Sequence, residues 1–118
     1  MVLKTEKGLK EGLEKLGELR KIGNEKLFAR DSRELRLAFE VDCMFDYLEV
    51  HAKAALARTE TRGVHNRLDY PYMDNDLWIK DIRIKKVNGV MELYTVPTRL
   101  GYVKVPKGRV LIKGLKQV

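Results

Sequence analysis

No glycine or proline interrupts residues 32–62. A run of that length predicts one helix of about 30 residues, near 45 Å long at about 1.5 Å per residue. Asp31-Ser32-Arg33-Glu34 opens it. The Asp31 carboxylate can accept from the first turn, and Glu34, three residues on, can reach back. Gly63 closes the run. Along it Leu37, Val41, Met44, Leu48, Ala52, Ala55 and Thr59 trace one stripe, flanked by Ala38, Phe45 and Leu56. Within 118 residues such a helix is too long to bury its apolar side unaided. It needs neighbours.

One neighbour precedes it. Leu9, Leu13, Leu16 and Leu19 recur at steps of four and three, the helical period, and Glu11–Lys15 supplies an i,i+4 ion pair. Gly8, Gly12 and Gly17 cost roughly 1 kcal/mol each relative to alanine, so packing must hold this helix. Gly23-Asn24 offers a left-handed C-terminal cap. After residue 78 the period changes. Trp78 to Lys85 alternates apolar with polar, Asn88-Gly89 follows, and Val90 to Val96 alternates again before Pro97. Asn-Gly between two such runs predicts a hairpin, because both turn positions need positive φ. A short strand at Tyr102–Val105, a turn at Pro106-Lys107-Gly108 and a last strand at Val110–Ile112 complete the reading.

The expected architecture is therefore mainly α: two antiparallel helices, the second long, then a β-hairpin tail. Residues 1–78 form the helical part and 79–118 a basic strand-rich tail packed on it, a single domain overall. The length fits one small domain. Ten Lys/Arg stand against two acids in residues 79–118, a local +8 in a chain of net +7, so the first 78 residues sum to −1. Such asymmetry marks an acidic partner, a nucleic acid or a membrane surface. Lys80, Arg83, Lys85, Lys86, Lys104, Lys107, Arg109 and Lys113, with Tyr94 and Tyr102 nearby, match a single-strand binder in composition, but no RNP-like, KH or zinc signature accompanies them. A solvated face, or one meeting an acidic subunit, is the better account. The dearth of Ser and Gln beside abundant Lys, Glu and Arg suggests a thermophilic source. Cys43 is the only cysteine, which excludes an intrachain disulfide; as a free thiol in an apolar helix it is expected in the core. No apolar run approaches the roughly 20 residues a membrane span needs. A soluble, cytoplasmic chain is expected, with any membrane association made through partner subunits.

Between helix and hairpin runs Arg58-Thr59-Glu60-Thr61-Arg62-Gly63-Val64-His65-Asn66-Arg67-Leu68-Asp69-Tyr70-Pro71, then Asp74-Asn75-Asp76-Leu77-Trp78. This stretch resembles the C-terminal domain of succinate dehydrogenase and fumarate reductase flavoproteins, shared with L-aspartate oxidase. That family carries R-x-E-S-R-G-A-H-x-R-x-D-x-P followed by D-D-x-x-W. Thr61 stands for its Ser, Val64 for its Ala and Asn75 for its second Asp. The likeness covers residues 6–97, with Thr5 to Arg20 similar to the family's middle helix and Leu35 to Ala57 to its long one. The resemblance implies a three-helix bundle whose first helix lies outside this chain, in a parent that uses FAD to interconvert succinate and fumarate or to oxidise a related acid. It also implies as partners the flavin-binding and substrate domains and an iron–sulfur subunit. The family's substrate, proton-donating and flavin residues lie in earlier domains, and no G-x-G-x-x-G occurs in this chain.

Two readings of the motif compete. Arg62 and Arg67 could clamp a dicarboxylate bidentately with His65 as general acid. Alternatively Arg58, Glu60, Arg62, His65, Arg67, Asp69, Asp76 and Trp78 form a salt-bridged docking turn, with Arg58 and Arg62 exposed on the helix end and Trp78 packing the hairpin onto the helices. The second is the expectation, with no catalytic, cofactor or metal site in this chain. His51 and His65 are too far apart in sequence and lack partners at ligand spacing for zinc. A helix pair short of one partner should also self-associate, as a helical dimer. A free-standing basic module for nucleic acid or an acidic protein is the alternative reading.

Overall fold

The computed structural model describes residues 3–112. A two-residue strand β1 (Leu3–Lys4) leads into helix α1 (Glu6–Lys26), which returns through a short loop as α2 (Ser32–Ala57). Thr5 caps α1 by accepting from Gly8 N–H at 3.1 Å. Asp31 caps α2 by accepting from Glu34 N–H at 2.8 Å. The reciprocal half of the expected box is displaced by one residue, since Glu34 accepts from Arg30 N–H at 2.9 Å and pairs with the Arg30 guanidinium. Gly23 lies beside Phe45, and Arg20 reaches Asp46 at 2.8 Å and Glu49 at 3.4 Å, so the helices run antiparallel.

Several local expectations change. Gly23-Asn24 does not cap α1, which continues to Lys26; a Cβ on Gly23 would meet Phe45 Cε2 at 3.2 Å, so this glycine permits close helix approach instead. The i,i+4 pairs on α1 are Glu6–Lys10 and Lys7–Glu11 rather than Glu11–Lys15. Helix α2 ends at Ala57, five residues short of Arg62, because another group takes its terminal carbonyls, as described below. Its covered face is rotated from the predicted stripe. Ala38, Val41, Phe45, Ala52 and Leu56 are partly covered, whereas Leu37, Met44 and Leu48 are exposed. Cys43 is exposed, not core, for the same reason: among the described residues nothing packs on that side of α2.

Three strand pairs follow the helices. β1 lies parallel to β2 (Asn66–Arg67), with Leu3 opposite Asn66. β3 (Tyr72–Asp74) runs antiparallel to β6 (Arg109–Leu111), with Met73 opposite Val110. β4 (Lys80–Val87) and β5 (Val90–Pro97) form the hairpin, in register from Lys80–Pro97 to Val87–Val90. Asn88 and Gly89 turn it with φ of 49° and 81°, the positive values that Asn-Gly supplies. Tyr102–Val105 is not a strand: it lies in an open loop, its only local backbone bond running from Val103 N–H to Leu100 C=O at 2.9 Å. Four alternating residues do not make a strand without an edge to pair with. The last strand does find one, in β3. The expectation for residues 113–118 lies outside the described residues.

The molecule is elongated, 57 × 37 × 24 Å, with a radius of gyration of 18.0 Å against about 13.5 Å for a compact domain of this length. Its apolar core among the described residues is small: Ala55 and Trp78 are the buried hydrophobic residues, while the largest fully buried side chains are Arg67, Glu60, Thr61 and Asp74.

Candidate functional site

Those four buried polar side chains lie in the stretch between α2 and the hairpin and organise two networks. The first joins the ends of the two helices. Arg67, 0% exposed, closes its fork on Asp69 through Nε–Oδ1 and Nη2–Oδ2 bonds of 2.7 Å each. Its remaining nitrogen, Nη1, donates to the carbonyls of Ala55 at 2.8 Å, Leu56 at 3.2 Å and Arg58 at 3.3 Å. These are the groups that the last turn of a helix leaves without partners. Asp69 in turn accepts from Glu6 N–H at 2.8 Å, in the first turn of α1. A cation therefore sits at the C-terminus of α2 and its paired anion at the N-terminus of α1, each complementing the local helix dipole. Arg67 holds the Asp69 carboxyl below the usual carboxylate range, and Asp69 raises Arg67 further.

Thr61 locks the loop that brings Arg67 to this position. Its hydroxyl accepts from Arg67 N–H at 2.9 Å and donates to Tyr70 C=O at 2.9 Å. Gly63, at φ 59°, turns the chain so that Arg62 and His65 exchange backbone bonds of 2.9 and 3.0 Å. His65 Nε2 lies 3.3 Å from Arg58 C=O. Burial lowers its pKa, and the cations of Lys4, Arg67 and Arg58 add to that, so the ring is neutral at pH 7.

The second network ties the C-terminal strand to the helix exit. Glu60, also 0% exposed, accepts from Arg58 at 2.6 Å, from Arg62 at 2.8 and 3.0 Å, and from Asp74 N–H at 2.9 Å. Arg62 continues to Asn75 Oδ1 at 2.9 Å. Asp74 accepts from Leu77 N–H at 3.0 Å, Asp76 N–H at 3.1 Å and Arg109 Nε at 2.7 Å. Burial opposes its ionisation, but those donors outweigh burial and hold its carboxyl below the usual range. Asp76 accepts from Gly108 N–H at 2.9 Å. Trp78 donates to Thr59 Oγ1 at 3.0 Å and lies between neighbours Arg58 and Lys80, whose cationic groups are 5.0 and 4.6 Å from its ring.

All eight motif residues singled out in the sequence thus enter one region, but not as a helix surface. Arg58 and Arg62 lie past the helix end and are partly buried, not exposed as the longer helix required. Their forks are committed within the chain, as is that of Arg67, so the dicarboxylate clamp has no free bidentate guanidinium. His51 is exposed and stacks on Tyr47 at 6.0 Å, away from His65. Sequence reasoning did not place Thr61, Asp74, Asn75 or Arg109 in the salt-bridged turn. An Asp three residues before Leu77, free to accept from that N–H, was the signal for Asp74; nothing local pointed to Arg109.

Both described helix N-termini, where an anion such as a pyrophosphate can be held, are met by carboxylates of the chain itself: Asp69 at α1 and Asp31 at α2. No group of three or more His, Cys, Asp or Glu among the described residues could hold a metal ion.

Fold and site together define a helical hairpin followed by small strand pairs, its two helix ends joined through a buried arginine–carboxylate turn. The model of the fumarate reductase flavoprotein C-terminal family matches residues 1–110, and the chain belongs to that family. It is 35% identical over 87 residues to the succinate dehydrogenase flavoprotein subunit of Coxiella burnetii, covering 67% of this chain and 14% of that protein. Identity to the fumarate reductase flavoprotein subunit of Helicobacter pylori is 33% over 82 residues, 66% of this chain and 12% of that one. An uncharacterised FAD-dependent oxidoreductase of Methanocaldococcus jannaschii is 36% identical over 85 residues, 71% of this chain and 15% of its own length. Among solved structures, Mycobacterium smegmatis Sdh1 in its apo form superposes with a TM-score of 0.69 at 30% identity, covering 87% of this chain and 18% of that chain. The same protein in complex with UQ1 gives 0.67 at 31%, covering 83% and 17%. The chain therefore spans about one seventh of the curated relatives it matches.

Proposed function

We propose that this chain is the C-terminal structural and docking domain of an FAD-dependent flavoprotein of the succinate dehydrogenase/fumarate reductase type. Arg58, Glu60, Arg62, His65, Arg67, Asp69, Asp76 and Trp78 act as its docking turn, and the chemistry belongs to flavin and substrate domains beyond these residues. One observation supports this above others: the motif's arginines spend their forks on Glu60 and Asp69, while Phe39, Met44 and Tyr47 of α2 stand exposed. Charge is consumed inside and apolar surface is offered outside. A third helix and the flavin-binding domain would cover that surface in the parent, which interconverts succinate and fumarate and passes electrons to an iron–sulfur subunit. No described helix is long and apolar enough to cross a membrane, so membrane association would run through such a partner.

The test is native capture through an affinity tag on this segment in its source organism. The captured material is expected to be yellow, with flavin near one per copy, and to oxidise succinate or reduce fumarate. Flavin-free material refutes the reading. Co-purifying nucleic acid, released steeply by salt, would establish the basic binding module instead.

A further inference from the structure

A pocket of about 300 Å³ opens beside the Glu60 network, lined among others by Arg58, Arg62, His65, Trp78, Lys80 and Leu100. Its charges do not balance. Arg58 and Arg62 share the one carboxylate of Glu60, Arg58 on Oε1 at 2.6 Å and Arg62 on both oxygens at 2.8 and 3.0 Å. Lys80 stands with its ammonium 4.6 Å from the Trp78 ring centre and has no ion pair among the described residues. Asp81, on the rim, is bonded to the Thr98 hydroxyl at 2.9 Å. Three fixed cations thus face two carboxylates, and the neutral His65 adds nothing. The surplus also has direction: Arg62 uses Nε and Nη2 internally, while its Nη1 donates to no described residue.

One surplus positive charge beside an indole and aliphatic side chains is a specific requirement. It suits one carboxylate on a short apolar stem, whose methylenes can lie on Ile79 and Leu100 while its oxygens meet Lys80 and Arg62. A free dicarboxylate would bring a second negative charge with no cation left to meet it. The geometry points to this pocket as the socket for a single Asp or Glu side chain presented by the flavin-bearing part of the assembly. This rests on the function proposed above and names the chemistry of the contact.

The test uses the flavin-bearing assembly treated with a zero-length carbodiimide, which joins a lysine amine to a carboxylate in contact with it. Lys80 is expected to couple to one Asp or Glu outside residues 1–118, identified by peptide mass spectrometry. Lys80→Arg should abolish the coupling yet leave the rate of flavin release on heating within about twofold, because the charge remains. Lys80→Met keeps the stem over Trp78 but loses the charge, and should speed flavin release roughly tenfold or more. Coupling only to carboxylates of this segment, or a Lys80→Met release rate equal to the wild type, overturns the inference and leaves the proposed function standing. Loss of the Lys80 coupling with succinate, but not with acetate at the same carboxylate concentration, also overturns it in favour of a small-molecule site. If no flavin-bearing assembly exists, both fall together.

Discussion

Replacing Arg67 by alanine tests the helix-end clip directly. The substitution removes both bonds to Asp69 and all three to the carbonyls of Ala55, Leu56 and Arg58. Breaking a buried pair by deleting one partner costs about 3–5 kcal/mol, because the other charge stays desolvated. Here Asp69 keeps its bond from Glu6 N–H, and its side chain is 27% exposed, so water relieves part of its share. The α2 carbonyls are worse placed, with Ala55 itself buried, and a buried acceptor without a partner costs about 1–3 kcal/mol. The sum stays near 3–5 kcal/mol, a large part of the roughly 5–15 kcal/mol that holds a domain. Urea unfolding followed by circular dichroism at fixed m reads it. Arg67→Lys retains the charge without the fork and should lose about 2 kcal/mol, and Asp69→Asn in a double-mutant cycle should couple to Arg67 by up to about 3 kcal/mol. An Arg67→Ala loss below about 1 kcal/mol would refute the claim that this side chain holds the helix ends.

Gly12→Ala and Gly17→Ala meet nothing within 4 Å, so each should stabilise α1 by up to about 1 kcal/mol, read as a rise in melting temperature. His65, its folded pKa lowered chiefly by burial, contributes stability that is complete above its unfolded value of about 6.5 and declines as pH falls below it. His65→Gln should flatten the stability–pH curve below about pH 6.5, and ring-proton NMR should show His65 titrating below the free-imidazole value. Asp69 and Asp74 also have lowered folded values, so their contribution is present above about pH 4 and lost as pH falls further. Asp74→Asn should make the acid limb of the stability curve shallower.

What could be read in the chain was what is local. The helical period, the Asp31 cap and the Asn88-Gly89 turn each depend on residues within a few positions of one another, and all appear where the pattern put them. The face of α2 that meets α1 was misjudged, because its apolar residues encircle it; covering is decided by Gly23 admitting Phe45, a tertiary event. Likewise Gly63 was taken as the stop of α2, whereas Arg67, reaching back to Ala55, sets the end at Ala57. The motif's composition announced an ionic turn. Its wiring was not legible, since Asp69 bonds Glu6 across 63 positions and Arg109 reaches Asp74 across 35.

The distribution of polarity in this molecule is inverted relative to a self-sufficient domain. Its accessible surface, 9275 Å², is roughly 40% above that of a compact monomer of its mass. Phe28 and Phe39 are 76% and 65% exposed while Glu60 and Arg67 are sealed. Buried ion pairs add little net stability compared with apolar packing, but they tolerate few geometries, since each misplacement strands a charge. The clip between α2 and α1 and the tether from Asp74 to Arg109 therefore act chiefly on orientation: they fix how the helix ends, the loop and β6 face one another. On the docking role proposed above, covering the outer faces of α2 would add about 25 cal/mol per Å² of apolar surface removed from water, so that charge sets the geometry beforehand and docking supplies the cohesion.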